Sequence, residues 1–292
     1  NKDYERMLAP EGRRCWTLEY ADDLSFHLDV LPCIPDPSWH RLLADTDESK
    51  ASKAILITDT QNPSSWPSSN PEGYAEWFDE RCVDVFPIFH QRLAERRMVA
   101  SVDDVPRRDV RTPLQRVVQI LKRHRDVHFN STLDTDLNHP SNKPSSILIT
   151  TLVGTSYRME TSLSEAVANV SQTLTKQIQM RGERFVVLNP VDAQENLVRQ
   201  WNEDNTKAKA FFDWAAKLQH DLGDLSSVRG LHNISKRLES TFGTGPVQRI
   251  MKELATERRT QRESNSLYIG GSAATLTTSP GLKVEDHRFY GN

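Results

Sequence analysis

One acid near the start of the chain, Asp29, lies in surroundings that suggest chemistry. It belongs to the alternating run Phe26–Pro32, whose spacing predicts a short β-strand with His27, Asp29 and Leu31 on one face. A carboxylate in such an apolar strand costs desolvation energy unless a charged or polar group meets it. A divalent metal ion would meet it well, but metal-dependent phosphoryl chemistry usually needs two or three such carboxylates. We find no convincing partner upstream of Asp29.

A second candidate is a basic amphipathic helix that starts after Thr112. Thr112 followed by Pro113 is typical of a helix start, and apolar residues then recur at helical spacing. Asp126 is its one acid, and five residues are basic: Arg111, Arg116, Lys122, Arg123 and Arg125. On a chain of net charge −3 this pattern fits a local anion site and an ordinary solvated face equally well.

A third candidate is the serine pair Ser145 and Ser146, which follows Lys143-Pro144 at a predicted helix start. Hydroxyl and backbone N–H groups at a helix N-terminus can bind a phosphate, although the same serine can simply cap the helix. Tyr74, at another helix start, is a candidate for stacking on a base. By default it is an aromatic core anchor.

Two familiar metal patterns are incomplete. His124 and His128 stand four residues apart on a helix, but the glutamate of the zinc-helix motif is missing, so a solvated or structural pair is favoured. The acids Asp134 and Asp136 lie in a polar loop without apolar residues to hold them rigid, which favours a solvated loop. The sequence contains no P-loop, nucleophile elbow or dinucleotide-binding fingerprint.

The elements that must position these residues divide the chain into a β-containing N-terminal third and a helical lobe. We expect an antiparallel hairpin over residues 13–32 and a strand over 53–59. The predicted helices cover residues 72–97, 112–126, 147–157, 161–180, 193–202, 206–223, 227–241 and 246–262, with a short strand at 184–188. The tail, residues 264–292, is expected to be extended or flexible.

Composition narrows the class of protein. A chain of 292 residues can bury a sizeable core in one large domain or two lobes. The near-neutral charge does not predict binding of long nucleic acid. Three widely spaced cysteines without a CxxC motif favour a reducing, cytoplasmic setting, and no apolar stretch reaches membrane-spanning length.

Several segments of the sequence together resemble the cGAS/DncV-like nucleotidyltransferases, the bacterial relatives of cGAS and oligoadenylate synthase found in CBASS antiphage operons. The phrases that carry the resemblance, in order, are Cys15–Tyr20 with Phe26–Pro32, Ser69–Phe78, Arg111–Asp126, Lys143–Leu152, Leu188–Trp201, Phe211–Trp214 and His287–Gly291.

The resemblance implies an α+β fold. Residues 1–100 would be part of a polymerase-β-like nucleotidyltransferase core, residues 101–263 a helical lobe like that of oligoadenylate synthase, and residues 264–292 a tail. It also implies a cyclic oligonucleotide synthase, which makes a cyclic di- or trinucleotide from nucleoside triphosphates with two Mg²⁺ (or Mn²⁺) ions.

Site residues follow from the same resemblance. Asp29 matches the third catalytic aspartate, which binds a metal ion. Lys122 matches the lysine that reaches the donor triphosphate, and Ser146, or else Ser145, matches the serine that contacts the terminal phosphates. Tyr74 is the candidate for base contact.

The chain departs from the family in lacking the upstream Gly-Ser turn and Asp-x-Asp strand. We therefore expect about 70–120 residues of the core to be missing on the N-terminal side, and residues 1–292 alone to be inactive. Two alternatives stay open: a catalytically inactive nucleotide- or partner-binding module, and a linear oligoadenylate-type polymerase. CBASS regulatory proteins are expected to act at the C-terminal tail, although a tail docked on its own lobe is equally compatible with the sequence.

Overall fold

The computed structural model describes residues 7–9, 15–19, 27–64, 66–133 and 135–264, and three two-residue strands further on, at 268–269, 276–277 and 282–283. The predicted hairpin is confirmed, because the first two strands pair antiparallel with Thr17 opposite Asp29. Phe26 and the predicted turn at residues 21–25 lie outside the described residues, as does Asp134.

Short antiparallel strands make up all the described sheets. The strands are β1 (Trp16–Glu19), β2 (His27–Val30), β3 (Cys33–Pro35), β4 (Ile55–Ile57), β5 (Ser68–Ser69), β6 (Gln179–Arg181), β7 (Arg184–Val186), β8 (Leu188–Asn189), β9 (Asp192–Asn196), β10 (Tyr268–Ile269), β11 (Leu276–Thr277) and β12 (Leu282–Lys283). They pair as β1-β2, β3-β4-β5, β6-β7, β8-β9 and β11-β10-β12.

Helices dominate the second part of the chain. They are α1 (Glu48–Ala51), α2 (Pro71–Glu80), α3 (Phe86–Arg97), α4 (Pro113–His128), α5 (Ser146–Ser156), α6 (Leu163–Thr173), α7 (Asn205–Ser227), α8 (Leu231–Phe242) and α9 (Thr244–Glu263). The start of α4 is as predicted: Thr112 and Gln115 form a reciprocal capping box, which satisfies two otherwise unpaired backbone donors.

The main core lies where α4, α5 and α7 meet. Leu121 of α4, Leu152 of α5 and Trp214 of α7 are fully buried in it. A smaller cluster consists of Leu42, Ala51 and Ala54, with Trp39 packed against it. None of the helices in the described part of the chain is long and apolar enough to cross a membrane.

Three predicted elements were wrong or too long. Residues 193–202, predicted as a helix, form the end of strand β9 and a 3₁₀ turn (Arg199–Asn202). The helix predicted over 72–97 is two helices, broken after Glu80 and restarted before Pro87, which suits the first turn of α3. The helix predicted over 161–180 ends at Thr173 and gives way to a 3₁₀ turn and strand β6.

In the tail, the described residues pair as strands β10, β11 and β12, which agrees with the expectation of extended chain. The other tail residues, including His287–Gly291, lie outside the described residues. The division into lobes at residue 100 stays a prediction.

A buried polar network ties α4 to α7. The Trp214 indole N–H donates to His124 Nδ1 at 3.0 Å, so the ring proton must lie on Nε2. That nitrogen donates to Asp221 Oδ2 at 3.1 Å. Burial alone would raise the pKa of Asp221, but hydrogen bonds from Lys217 and His124 lower it below its ordinary 3.8. His124 therefore has a structural role, which was one of the two interpretations favoured from the sequence.

This network predicts that the fold loses stability in mild acid. Burial lowers the pKa of His124, and of His128 one turn later, below the ordinary 6.5. The unfolded chain therefore binds more protons below pH 6.5, and the stabilisation, complete above that pH, falls as pH decreases. The melting temperature of the protein should drop between about pH 7.5 and pH 5.5.

In His124→Gln this drop should be shallower, because of the two histidines whose pKa is lowered only His128 remains, while the exposed His232→Gln control should keep the wild-type slope. Thermal unfolding followed by circular dichroism measures both variants. Equal slopes in wild type and His124→Gln would show that His124 does not carry the pH dependence.

Candidate functional site

Asp29 is solvent-exposed, which corrects the expectation that its carboxylate is desolvated. Its neighbours Leu28 and Val30 are also exposed, by 44% and 41%, because the β1-β2 hairpin forms a sheet of its own. Asp29 Oδ1 accepts a hydrogen bond from Thr17 Oγ1 at 2.6 Å. The carboxylate is thus oriented by its strand partner while it faces solvent.

As a magnesium ligand, Asp29 fits in part. Mg²⁺ is commonly bound through one or two carboxylates together with substrate phosphates, and an exposed, oriented carboxylate can be one of them. Within the described ranges no group of three His, Cys, Asp or Glu side chains is placed to hold a metal ion. The described residues therefore offer one carboxylate of such a site.

Lys122 lies half-buried on α4 without forming an ion pair with any described carboxylate. Burial, and then the positive charge of Arg125, lowers the pKa of its ammonium group, while Asp126 opposes this shift. A cation kept partly out of water beside another cation favours binding of an anion. Lys122 is the described residue of the basic helix with this character.

Arg125 joins α4 to the start of α5. It is 6% exposed, and its Nη1 donates to Pro144 O at 3.0 Å and to Ser146 Oγ at 3.2 Å. Its other edge binds Asp126 Oδ1 through Nε and Nη2, at 3.0 and 2.8 Å. Because Lys122 precedes Arg125 by three residues, the two share one side of α4, the side toward Ser146.

The two candidate serines have different roles. Ser145 is the N-cap of α5 and accepts from Leu148 N at 3.3 Å. Ser146 is exposed, and since its Oγ accepts from Arg125, its O–H is left to donate. The backbone N–H groups of the first turn of α5 have no helical partner. This helix start therefore offers several donors to a phosphate.

Ser145 also borders a cleft of about 600 Å³. The opposite wall comes from strand β9 and the residues after it, including Glu195 and Arg199, and strand β5 contributes Ser68. Strand β5 belongs to the β3-β4-β5 sheet, which follows the Asp29 strand in the chain. The sequence missed Glu195 and Arg199 because the segment was predicted to be a helix.

Tyr74 is an anchor between α2 and α5. Its hydroxyl lies 2.9 Å from Thr151 Oγ1 and 3.4 Å from Ile147 O, and burial raises its pKa to about 12. Next to it, Trp77 leaves no room for a side chain at Gly154, where an added Cβ would lie 2.7 Å from the indole. A base-stacking role for Tyr74 stays a prediction.

The five basic residues predicted as one anion site do not share a face. Arg123 is exposed and donates to Phe242 O at 2.6 Å, Arg111 bonds backbone carbonyls before the helix, and Arg116 is exposed. Of the five, Arg125 bonds the start of α5, and Lys122 lies one turn before it on the same side of α4. The structure thus joins Ser146 to Arg125, three residues after Lys122 on α4, and leaves Asp29 on a separate hairpin.

Comparison with known proteins finds one curated relative by sequence. No family model matches the chain. The c-di-GMP synthase of Roseivirga ehrenbergii is 29% identical over 297 residues, covering 100% of this chain and 72% of the relative.

Two solved structures share the fold. CdnG, the CD-NTase of Bradyrhizobium diazoefficiens solved in complex with GTP, has a TM-score of 0.59 at 20% identity, over 85% of this chain and 69% of CdnG. The di-nucleotide cyclase DncV of Vibrio cholerae, solved with ATP and GTP, has a TM-score of 0.51 at 14% identity, over 83% of this chain and 55% of DncV.

The fold class defined by these likenesses is the α+β, polymerase-β-like nucleotidyltransferase fold, as the sequence predicted. In sequence and fold the chain is similar to these cyclic dinucleotide synthases, the resemblance that the sequence had indicated.

The contacts of Arg125 predict that lysine cannot replace it. Arg125→Lys should lower the free energy of unfolding by about 1–3 kcal/mol, because a buried carbonyl and Asp126 lose donors. Hydrogen exchange of the amides of Leu148 and Ile149, which are bonded to Ser145, should speed up. Arg116→Lys, an exposed change on the same helix, is the matched control and should leave both measurements unchanged. An unaltered urea midpoint and unaltered exchange in Arg125→Lys would contradict the positioning role.

Proposed function

We propose that this chain transfers nucleotidyl groups from nucleoside triphosphates to make a cyclic dinucleotide, with GTP as a substrate. The observation that carries the proposal is the bond of Arg125 to Ser146 at the donor-rich start of α5, because Arg125 lies three residues after the half-buried ammonium group of Lys122 on α4. The relative named c-di-GMP synthase and the GTP complex of CdnG support guanine nucleotides.

In this proposal the triphosphate of the donor nucleotide lies between α4 and α5. Lys122 contributes a point charge, and Ser146 donates its O–H to a terminal phosphate oxygen, with Ser145 as the alternative donor from the cleft side. Arg125 does not touch the nucleotide; it holds Ser146 in place and adds positive potential. These groups stabilise charge that develops on the leaving pyrophosphate.

Asp29 is proposed to bind Mg²⁺, or Mn²⁺ in its place, as one ligand of a metal site completed by the nucleotide phosphates and further carboxylates. Bound metal ions in such sites activate the attacking hydroxyl and neutralise charge on the phosphates. The Thr17 hydroxyl keeps Asp29 oriented on its strand.

The wider role is proposed on family grounds: a second messenger for antiphage defence within a CBASS system, with regulatory proteins acting at the C-terminal tail. Two other functions are tested by the same product analysis. A linear oligoadenylate would identify a template-independent polymerase, and binding without product in the complete enzyme would identify a nucleotide-binding module.

Lys122→Ala should weaken GTP binding by about 10- to 100-fold, since a charge-assisted contact contributes about 1.5–3 kcal/mol. Lys122→Arg should recover part of the affinity, because it keeps the charge. Calorimetric titration of GTP measures the three proteins. Lys209→Ala, an exposed lysine of α7, should bind like wild type. If Lys122→Ala binds GTP as tightly as that control, the triphosphate does not lie on α4.

Asp29→Asn should remove most of the enhancement of GTP binding by Mg²⁺, which is measured as the ratio of affinities with Mg²⁺ and with a chelator. In the complete enzyme, cyclic product, detected by chromatography after incubation with the four nucleoside triphosphates, should fall at least about 100-fold. The melting temperature should not change, because the side chain is exposed. Asp84→Asn, an exposed acid elsewhere, is the control. A variant at position 29 that keeps its Mg²⁺ enhancement would exclude Asp29 as a ligand.

A further inference from the structure

A second groove, of about 720 Å³, lies at the β6-β7 hairpin. Three arginines line it together with two asparagines and one acid: Arg181, Arg184, Arg199, Asn196, Asn202 and Glu203. None of the residues assigned above to nucleotide or metal binding contributes to its wall. The groove therefore needs an explanation of its own.

The positions of Arg181 and Arg184 destabilise the hairpin that carries them. They are directly opposite each other across the β6-β7 ladder, on either side of a turn in which Gly182 takes φ +63°. Like charges in this position destabilise a strand pair. Both side chains are exposed, and neither forms an ion pair with a carboxylate of the described chain. A bound anion would turn the repulsion into attraction.

The hairpin that carries them is held rigidly. Asn202 bonds both backbone groups of Phe185, accepting from its N–H at 2.8 Å and donating to its carbonyl at 3.0 Å. Asn196 donates to the same carbonyl at 3.0 Å. The Phe185 ring packs edge-on against Trp201 with centroids 5.8 Å apart. Because Phe185 is fixed, the backbone of Arg184 is fixed before any ligand arrives, which lowers the entropic cost of binding.

The third arginine extends the positive charge across the groove. Arg199 Nε lies 3.7 Å from Glu203 Oε1, with the side chains 80% and 65% exposed. An ion pair this exposed is weak, so Glu203 does not hold Arg199 away from a ligand. The lining of the groove thus contains three guanidinium groups and one carboxylate, and its net charge is positive.

We propose that this groove is a second anion site, which binds the phosphate chain of a small ligand: a nucleoside triphosphate or a free oligophosphate. Guanidinium groups bind phosphate oxygens in bidentate pairs. The volume lies within the range of about 300–1,000 Å³ typical of small-molecule sites, which suits one nucleotide and not a nucleic-acid duplex. Asn196 and Arg199 also line the cleft at Ser145, so the two sites adjoin.

Binding of inorganic tripolyphosphate to the full chain tests the proposal directly. The double variant Arg181→Gln/Arg184→Gln should weaken this binding by tenfold or more. Its melting temperature should stay the same or rise, because the repulsion between the two arginines is removed. The matched control Arg249→Gln/Arg259→Gln changes two exposed arginines of α9, and so the same net charge, and should bind like wild type.

Further variants show whether the ligand is a nucleotide or a free oligophosphate. They also distinguish a failure of this proposal from a failure of the proposed function. Lys122→Ala should leave tripolyphosphate binding in the groove intact. GTP binding that remains in Lys122→Ala and is lost when the two arginine substitutions are added to Lys122→Ala would identify nucleotide as the ligand, whereas tripolyphosphate binding alone would identify free oligophosphate. Equal losses in the two double variants, a lower melting temperature in the first, or binding of RNA without tripolyphosphate would overturn the proposal.

Discussion

Two consecutive buried residues of α4, His124 and Arg125, constrain the whole helical lobe. Side chains one residue apart on a helix diverge by about 100°, so the two reach different neighbours. His124 bonds Trp214 and Asp221 of α7, and Arg125 bonds the start of α5. A buried polar group left without partners is costly. Helix α4 therefore satisfies both residues in only a narrow range of orientations.

That orientation decides where positive charge is available. With Arg125 committed to Pro144 and Ser146, Lys122 one turn earlier lies on the same side of α4 and is not neutralised by an ion pair with a described acid. Arg125 therefore serves the structure, whereas Lys122 stays available to a ligand. The apolar contacts of Leu121 with the core hold α4 in the same orientation. Core packing and the polar contacts of α4 therefore favour one rotation of the helix about its axis.

Local sequence signals predicted much of this architecture. The Thr112-Pro113 start and the helical spacing of the apolar residues after it predicted α4 well, because capping and helical periodicity act within one or two turns. The alternating residues around Asp29 predicted the hairpin. The segment 193–202 was mistaken for a helix, because its short strand is held by pairing with β8 and by the bonds of Asn196 to Phe185 and Val187, which local periodicity does not encode.

The site divides in the same way. The sequence alone determined which residue types were present near one another in the chain: a basic helix, a serine-capped helix start and an acid on a hairpin. Only the tertiary structure decided that Arg125 positions while Lys122 stays available, that Asp29 is exposed, and that Arg181 and Arg184 share a groove with Arg199. The reason is physical. Burial and ion pairing depend on segments that meet across the fold, whereas propensity and capping depend on neighbours in the chain.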